Sequence, residues 1–293
     1  MANCLIAFPN WLDADRDFAD VAFDGGGWVP ELPLENLRDP YYAAVARSID
    51  TTLNATQVLI DLGKLRGVRA GAIPFLSASL EAQLRLSGLE DFEVSATKIC
   101  DSGWSKLYPI VFPSAAIVYE HSAAWSGRMS AEEAAVYPMP WFHLFDSDQV
   151  ARYWLLEIDD RLSDRAYVEI PRLFLCPGIS PEINFAYGAS IGYEDPSQVE
   201  VSLGGAEFFE LLDGRRVVRF TFDYQEEEFA VANWLDLQRR NGISGDVFFA
   251  WNPADTTLRH RRSFAGRLRQ LSPLEAVAFG QTRATFELIE RTA

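Results

Sequence analysis

The chain has 293 residues, of which 48% are hydrophobic, including eight Trp, ten Tyr and twenty Phe. This composition supports large buried cores and excludes a disordered protein, and the length predicts two domains rather than one. The net charge of −16 argues against binding to duplex nucleic acid, because phosphate contacts need an electropositive face.

The acidity is concentrated in the first two thirds of the chain. From Glu200 onward there are twelve arginines and fourteen acidic residues, which leaves fourteen basic and twenty-eight acidic residues before it. Only three basic residues are lysines, Lys64, Lys98 and Lys106. Arginine is suited to forked ion pairs at protein interfaces, although a coding bias towards arginine would produce the same composition.

The cysteines and the N-terminus favour a chain made in the cytoplasm. Cys4, Cys100 and Cys176 are far apart and show no C-x-x-C spacing, so we expect buried free thiols and neither a disulfide framework nor a zinc site. The first residues lack a basic segment, and no eighteen apolar residues run together. We therefore expect no secretion signal, no membrane span and no cofactor.

Short apolar runs dominate the first half of the chain. They lie at 57–63, 68–75, 152–159 and 167–175. Short strands at wide spacing predict a β-sandwich.

An aromatic-rich insertion at about 101–147 interrupts this pattern. Ser130 and Glu133 form a capping-box pattern, which predicts one short helix. Trp104, Trp125 and Trp141 are candidates for surface recognition, because large rings provide contact area at low entropic cost. The alternative is that these rings pack the insertion onto its own domain, and the length of the loop favours this alternative.

A segment rich in glycine and proline at 177–199 predicts a linker, with a boundary near residue 190. The domains are then 1–190 and 191–293. Within the segment, Gly188-Ala-Ser190-Ile-Gly192 fits the G-x-S-x-G pattern of a serine nucleophile. The residues after it, Tyr193-Glu-Asp-Pro196, do not begin a helix, and the downstream His260 lies among arginines. We therefore predict that the chain is not an enzyme, and a cell-wall hydrolase is the less favoured alternative.

Acidic groups and histidines show no metal-binding pattern. Asp159 with Asp160, and the acidic residues at 13–17, lack the spacing of a calcium loop and are interpreted as solvated turns. His121 and His143 are too far apart for a local metal motif. The sequence thus predicts no metal site.

The last third of the chain predicts a small α+β domain. The run 216–224 alternates as a strand, a helix follows from Glu226 and ends before Gly242, and further strands are predicted at 246–251 and 284–290. One face of the first strand is expected to be buried, with Val218, Phe220, Phe222 and Tyr224 on it. A β-sheet with one helix across it follows from this order.

Two sets of residues resemble known families. The segments 33–39, 45–48, 60–63, 152–159 and 168–174 resemble a galactose-binding-like jelly roll. The whole chain, with 204–209, 237–242 and 266–271, resembles tail proteins of tailed bacteriophages and prophages. The second resemblance implies a structural protein of the tail tip or baseplate, of the distal tail type. Its C-terminal domain would attach to the tail and its jelly roll would face outward, with no catalytic residues.

The leading hypothesis is therefore a mainly β virion component, a jelly-roll sandwich followed by a smaller α+β domain. It would assemble as a ring or trimer with itself and with other tail proteins, and it would reside in the virion tail after synthesis in the host bacterial cytoplasm. The alternative is a carbohydrate-binding adhesin that contacts a glycan of the host surface. The candidate assembly contacts are Arg215, Arg219, Arg239, Arg240, Arg261, Arg262, Arg267 and Arg269.

Overall fold

The computed structural model describes residues 3–13, 20–112, 127–136 and 139–292. The chain divides into two compact units. The first contains Met1–Ser180 and Phe248–Phe264, and the second contains Pro181–Val247 and Ala265–Ala293. The sequence-based boundary near residue 190 thus lies inside the second unit. The segment 248–264, which the sequence assigned to the C-terminal domain, belongs to the first unit.

Within the described ranges, ten strands lie wholly in the first unit. They are β1 (Leu5–Ala7), β2 (Ala22–Asp24), β3 (Ala46–Arg47), β4 (Val58–Ile73), β5 (Gln83–Leu89), β6 (Lys98–Asp101), β7 (Ser105–Lys106), β8 (Trp141–Asp159), β9 (Glu169–Ile170) and β10 (Phe174–Cys176). A 3-10 helix covers Leu34–Arg38, and α1 covers Ala131–Val136.

Two long strands replace the short ones that the sequence predicted. The runs 57–63 and 68–75 join into β4, and the run 152–159 is the end of β8. Their antiparallel ladder is interrupted by register shifts between Asp61 and Arg66 and between Val68 and Ala70. Because bulges bend a strand without ending it, β4 continues through Gly63, the last residue of the predicted run 57–63.

In agreement with the predicted mainly β class, the first unit is built on antiparallel β-structure. One sheet has the order β10-β4-β8-β5-β6, with β2 beside β4 and β7 beside β5, and β3 pairs with β9 apart from it. The inward side chains of β4, β5 and β8 are fully buried, among them Ile60, Leu86 and Trp154. Since alternate residues of a strand face opposite sides, the residues between them form the outer face of this sheet.

The aromatic-rich insertion begins and ends in regular structure. Its capping box forms as predicted: the Ser130 N–H donates to Glu133 Oε2 at 2.9 Å, and the Glu133 N–H donates to Ser130 Oγ at 3.2 Å. The end of the insertion is wrong in the sequence prediction, because β8 already begins at Trp141.

The second unit contains the main helical segment and the remaining strands, except for residues 248–250 of β15 and 263–264 of β16, which belong to the first unit. The strands are β11 (Ser190–Glu194), β12 (Gln198–Val201), β13 (Glu207–Glu210), β14 (Arg215–Glu226), β15 (Asp246–Ala250), β16 (Ser263–Leu268), β17 (Glu275–Ala278) and β18 (Gln281–Glu290). The boundary between the units falls within β15, after Val247, and within β16, after Phe264. In the second unit, the sheet order is β16-β18-β14-β11, and β12 and β13 form a separate hairpin.

The helical segment confirms the sequence pattern. It consists of α2 (Glu227–Ala230), a π-helical turn (Val231–Leu235) and α3 (Asp236–Asn241), and it ends at Gly242, whose φ is +54°. Trp234 is fully buried and stacks on Phe222, with ring centroids 4.8 Å apart. Tyr224 contradicts the predicted face: it is 58% exposed, because a bulge between Phe222 and Gln225 reverses the alternation and buries Gln225 instead.

The remaining helix, α4 (Arg259–Arg262), lies in the first unit. Across the described ranges, every helix is too short or too polar to cross a membrane. The three cysteines are free, and Cys4 and Cys176 are buried. Burial raises the pKa of the Cys4 thiol to about 12, so this thiol stays protonated and unreactive.

Candidate functional site: a polar cleft on the outer face of the first sheet

The outer face of the large sheet in the first unit has an apolar half and a polar half. In the apolar half, Leu59, Leu89 and Leu155 form a small buried cluster, against which Val94 and Ala96 pack. These two residues belong to the loop between β5 and β6, which covers this half. The polar half is open and carries the candidate site.

Strand register aligns polar side chains in two rows across this open half. In the first row, Arg85 of β5 lies opposite Glu157 of β8, and Gln57 Nε2 contacts Glu157 Oε1 at 3.5 Å. In the second row, Gln83 lies opposite Asp159 on one side and Lys106 on the other. Directly opposed residues share a face of the sheet, so each row forms a continuous polar strip.

Ion pairs hold the side chains of the first row. Arg85 Nε donates to Asp101 Oδ1 at 2.8 Å, and its Nη1 lies 4.0 Å from Glu157 Oε2. Lys98 Nζ lies 3.3 Å from the same Glu157 oxygen. The Arg85 guanidinium also lies 5.8 Å from the centroid of the Trp104 ring, whose residue is 39% exposed. The row therefore ends at a partly exposed aromatic ring.

The second row opens into a cleft of about 380 Å³ at the ends of β5 and β8. This volume is at the small end of the range for ligand pockets, which is about 300–1,000 Å³. Buried Asp160 accepts a hydrogen bond from the Ser79 N–H at 3.0 Å and another from the Ser79 hydroxyl. The residues that line the cleft are Glu81, Gln83, Asp159, Asp160, Arg161 and Leu162.

Neighbouring cations keep the carboxylates of the site ionised. Arg85 lowers the pKa of Asp101 to about 2. Arg128, with its Nη1 at 2.6 Å from Glu81 Oε1, lowers the pKa of Glu81, and Arg161, with two bonds of 2.7 and 2.8 Å, lowers the pKa of Asp159. At neutral pH these groups accept hydrogen bonds and have no proton to donate.

The structure describes two of the three tryptophans that the sequence proposes for surface recognition. Trp104 lies at the edge of the polar half, next to Ser105 of β7. Trp125 lies outside the described residues. Trp141 is wrong as a recognition residue: it is completely buried in the core, and its Nε1 donates to Ser105 Oγ at 2.8 Å. This burial agrees with the alternative interpretation, in which the aromatic rings pack the insertion onto its own domain.

The eight candidate arginines are divided between the two units. Arg261 and Arg262 belong to the first unit, and the other six belong to the second. Three of these six make ion pairs inside the chain: Arg219 with Glu287, Arg240 with Asp236, and Arg269 with Glu194 and Glu287. Arg239 is exposed and has no ion pair among the described residues. The role of all eight in assembly stays a prediction.

The remaining chemical candidates take ordinary structural positions. Ser190 begins strand β11 and is followed by further strand residues, so the strand-to-helix turn that a nucleophile elbow requires does not occur here. Within the described part of the chain, no group of three or more His, Cys, Asp or Glu side chains is arranged to hold a metal ion.

Sequence reasoning missed Gln83, Arg85 and Glu157. A signal was present, because Gln83-Leu-Arg-Leu-Ser87 alternates polar and apolar residues, as a half-buried strand does. Asp159 was noticed only as a turn residue. Pairing of β5 with β8, more than 70 residues apart in the chain, brings these residues together.

A scan against protein-family models finds no match, and no curated protein matches the chain. Among solved structures, the family 32 carbohydrate-binding module of Clostridium perfringens NanJ in complex with galactose is 10% identical, covers 58% of this chain and 98% of its own, and has a TM-score of 0.35. A fucose-binding module of Streptococcus pneumoniae is 10% identical, covers 58% of this chain and 95% of its own, and has a TM-score of 0.35.

A family 89 glycoside hydrolase of Clostridium perfringens in complex with PUGNAc is 13% identical over 61% of this chain, with a TM-score of 0.35. The match spans only 16% of that enzyme. These three similarities identify neither a ligand nor an activity for this chain.

Proposed function

We propose that the first unit binds a carbohydrate in the cleft beside Gln83 and Asp159. The observation that carries this proposal is the combination of two polar rows, held by ion pairs, with the partly exposed Trp104 ring beside Arg85 of the first row. A sugar ring presents hydroxyl groups at its rim, which both donate and accept hydrogen bonds, and C–H groups on its faces. Fixed amide, carboxylate and guanidinium groups match the rim, and an indole ring matches a face.

The charge state of the cleft favours binding over hydrolysis. Glycoside hydrolysis needs a carboxylic acid whose pKa is raised, so that it can protonate the leaving group. Glu81 and Asp159 have the opposite property, because their arginine partners lower their pKa values. These two residues are therefore proposed as hydrogen-bond acceptors for sugar hydroxyls.

A glycan array with the full chain, followed by calorimetric titration of the strongest ligand, tests this proposal. Trp104→Ala removes the ring, and Gln83→Ala removes the amide at the centre of the second row. Each should weaken binding by about tenfold or more, since loss of one good contact amounts to about 1.4 kcal/mol. Tyr167→Ala is the matched control: this ring is 37% exposed and also lies against an arginine, Arg47, at 4.3 Å, but it is not part of the cleft.

Absence of binding to any glycan on the array would refute the function. Binding that both variants leave unchanged would refute the site. A loss as large for Tyr167→Ala as for Trp104→Ala would also refute the site, because it would reflect a general effect on the unit.

We also propose a second candidate function, a structural role in the tail tip or baseplate of a tailed bacteriophage. The resemblance of the whole sequence to tail proteins motivates it, and the second unit adds an observation that favours an assembly role. All eight residues of strands β12 and β13 are exposed, including four apolar ones. A two-stranded hairpin is marginally stable by itself, so a partner that covers it would explain its composition.

Mass spectrometry of purified phage particles tests this second function. A tail component would be present at a constant ratio to the other tail proteins, and electron microscopy would locate it at the tail tip. Particles that lack the chain would refute the structural role without affecting carbohydrate binding.

A further inference from the structure

The hairpin of β12 and β13 has one apolar face and one acidic face. Val199 lies opposite Phe209, and Val201 lies opposite Glu207. Opposed residues share a face, so Val199, Val201 and Phe209 form an apolar face with Glu207 at its tip. The other face carries Gln198 and Glu200, which lie opposite Glu210 and Phe208. A two-faced ribbon of this kind is expected where only one face is covered.

The hairpin region exposes several large apolar side chains. In it and in its flanks, seven apolar residues have exposed fractions between 47% and 112%: Val199, Val201, Leu203, Phe208, Phe209, Leu211 and Leu212. Of these residues, Val199, Val201 and Phe209 lie on the apolar face, whereas Phe208 lies on the other face. Because exposed apolar side chains that share a face mark interaction sites, this face is a candidate contact surface.

A second exposed surface of the same unit complements this hairpin. Along the helical segment, Val231, Leu235 and Arg239 are spaced by four residues, so they lie on one side of it. Val231 and Leu235 are each 48% exposed. The stripe is therefore apolar with a cation at its C-terminal end, whereas the acidic residues Glu226–Glu228 lie at the other end.

We infer that the apolar face of the hairpin docks onto this helical stripe in a second copy of the chain. Glu207 at the tip of the hairpin would then pair with Arg239 of the next copy, and Phe209 would cover Val231 and Leu235. Direct pairing of the apolar faces of two hairpins is disfavoured, because it would place Glu207 of both copies in the same contact. Since the two contacting surfaces differ, the interface is heterologous and closes into a ring or continues as a filament. This inference deepens the structural candidate proposed above.

Two neighbouring phenylalanines provide a matched test of the apolar contact. Phe208 and Phe209 are 63% and 57% exposed but lie on opposite faces of the hairpin. In sedimentation velocity of the full chain, the wild type should form assemblies whose masses are multiples of 32.9 kDa. Phe209→Ser should raise the dissociation constant by about tenfold or more, the effect expected for a buried aromatic contact, while Phe208→Ser should change it little.

A charge exchange tests the proposed pairing of copies. Glu207→Arg and Arg239→Glu should each weaken assembly, and the double variant should restore it, because the opposite charges then meet again. Glu90→Arg, an exposed site in the first unit, controls for the change in net charge. Because all altered side chains are exposed, the melting temperature of each variant should match that of the wild type at a concentration at which both are monomeric.

Three results would overturn the inference: a wild-type chain that stays monomeric at high micromolar concentration, equal effects of the two serine variants, or a double variant that does not reassemble. These outcomes are separate from the fate of the tail role. If the chain assembles as described but is missing from phage particles, the tail role fails and the docking surface stands. If it is present in particles but monomeric in solution, the docking surface fails.

Discussion

Removal of Arg216 should destabilise the second unit far more than removal of its neighbour Arg219. Arg216, at the start of β14, is 7% exposed, and so is Glu290 at the end of β18. The Arg216 N–H and Nε both donate to Glu290 Oε2, at 2.9 and 2.8 Å, and Nη2 donates to Oε1. Arg216→Met would leave a buried carboxylate without its forked partner.

The expected magnitude follows from burial. Breaking a buried ion pair by removing one partner costs about 3–5 kcal/mol, which is roughly a hundred- to a few-thousand-fold in the opening equilibrium. The control, Arg219→Met, alters an arginine whose side chain is 62% exposed and lies 3.6 Å from Glu287. An exposed pair of this kind contributes about 0–1 kcal/mol. Replacing both members of the buried pair, as in Arg216→Met with Glu290→Met, should recover much of the loss.

Hydrogen exchange of the full chain, followed by mass spectrometry, measures these effects locally. Peptides from β14 and β18 report the opening of this sheet separately from the first unit, so the assay does not require two-state unfolding of the whole chain. Equal acceleration of exchange in Arg216→Met and Arg219→Met would refute the reasoning. The reasoning would also be refuted if the variant with both Arg216→Met and Glu290→Met lost as much stability as the sum of the losses of these two single variants.

Three further predictions concern the first unit. Gly26→Ala should lower the free energy of unfolding of this unit by more than about 2 kcal/mol in denaturant unfolding, because Gly26 has a φ of +66° and a Cβ there would lie 2.4 Å from the Gln57 carbonyl oxygen. The control Gly103→Ala should cost only about 1 kcal/mol, because Gly103 has a similar φ of +67° but its Cβ would meet open space. Ser130→Ala should cost about 1 kcal/mol locally and speed hydrogen exchange across α1, and unchanged exchange would contradict the role of the capping box. The Asp101 carboxyl should titrate in an NMR experiment near its pKa of about 2, below its ordinary value of 3.8. The ion pair of Asp101 therefore contributes fully to stability above about pH 4, and this contribution is lost as the pH falls through 2. Arg85→Gln should raise the pKa of Asp101 again, and an unchanged pKa would exclude Arg85 as the cause.

The local elements of the second unit can be predicted from the sequence. Alternation identified the strand with Val218, Phe220 and Phe222, and helical spacing with an acidic first turn and a terminal glycine identified the segment that buries Trp234 and Leu237. The Ser130–Glu133 capping box was likewise readable, because its two bonds join residues three positions apart. These signals come from residues that are close together in the chain, so they can be recognised in a single sequence.

Pairing between distant strands determines which residues form the candidate site and which side chains are buried. The polar rows require Gln83 and Arg85 to meet Asp159 and Glu157 through strand pairing, and no local pattern encodes that register. Trp104 and Trp141 look alike in the sequence, yet one is partly exposed and the other lies in the core. The assignment of 248–264 to the first unit and the bulge that exposes Tyr224 also depend on pairing between segments that are far apart in the chain. Burial is decided by contacts between distant segments, so it becomes visible only when those segments are placed together.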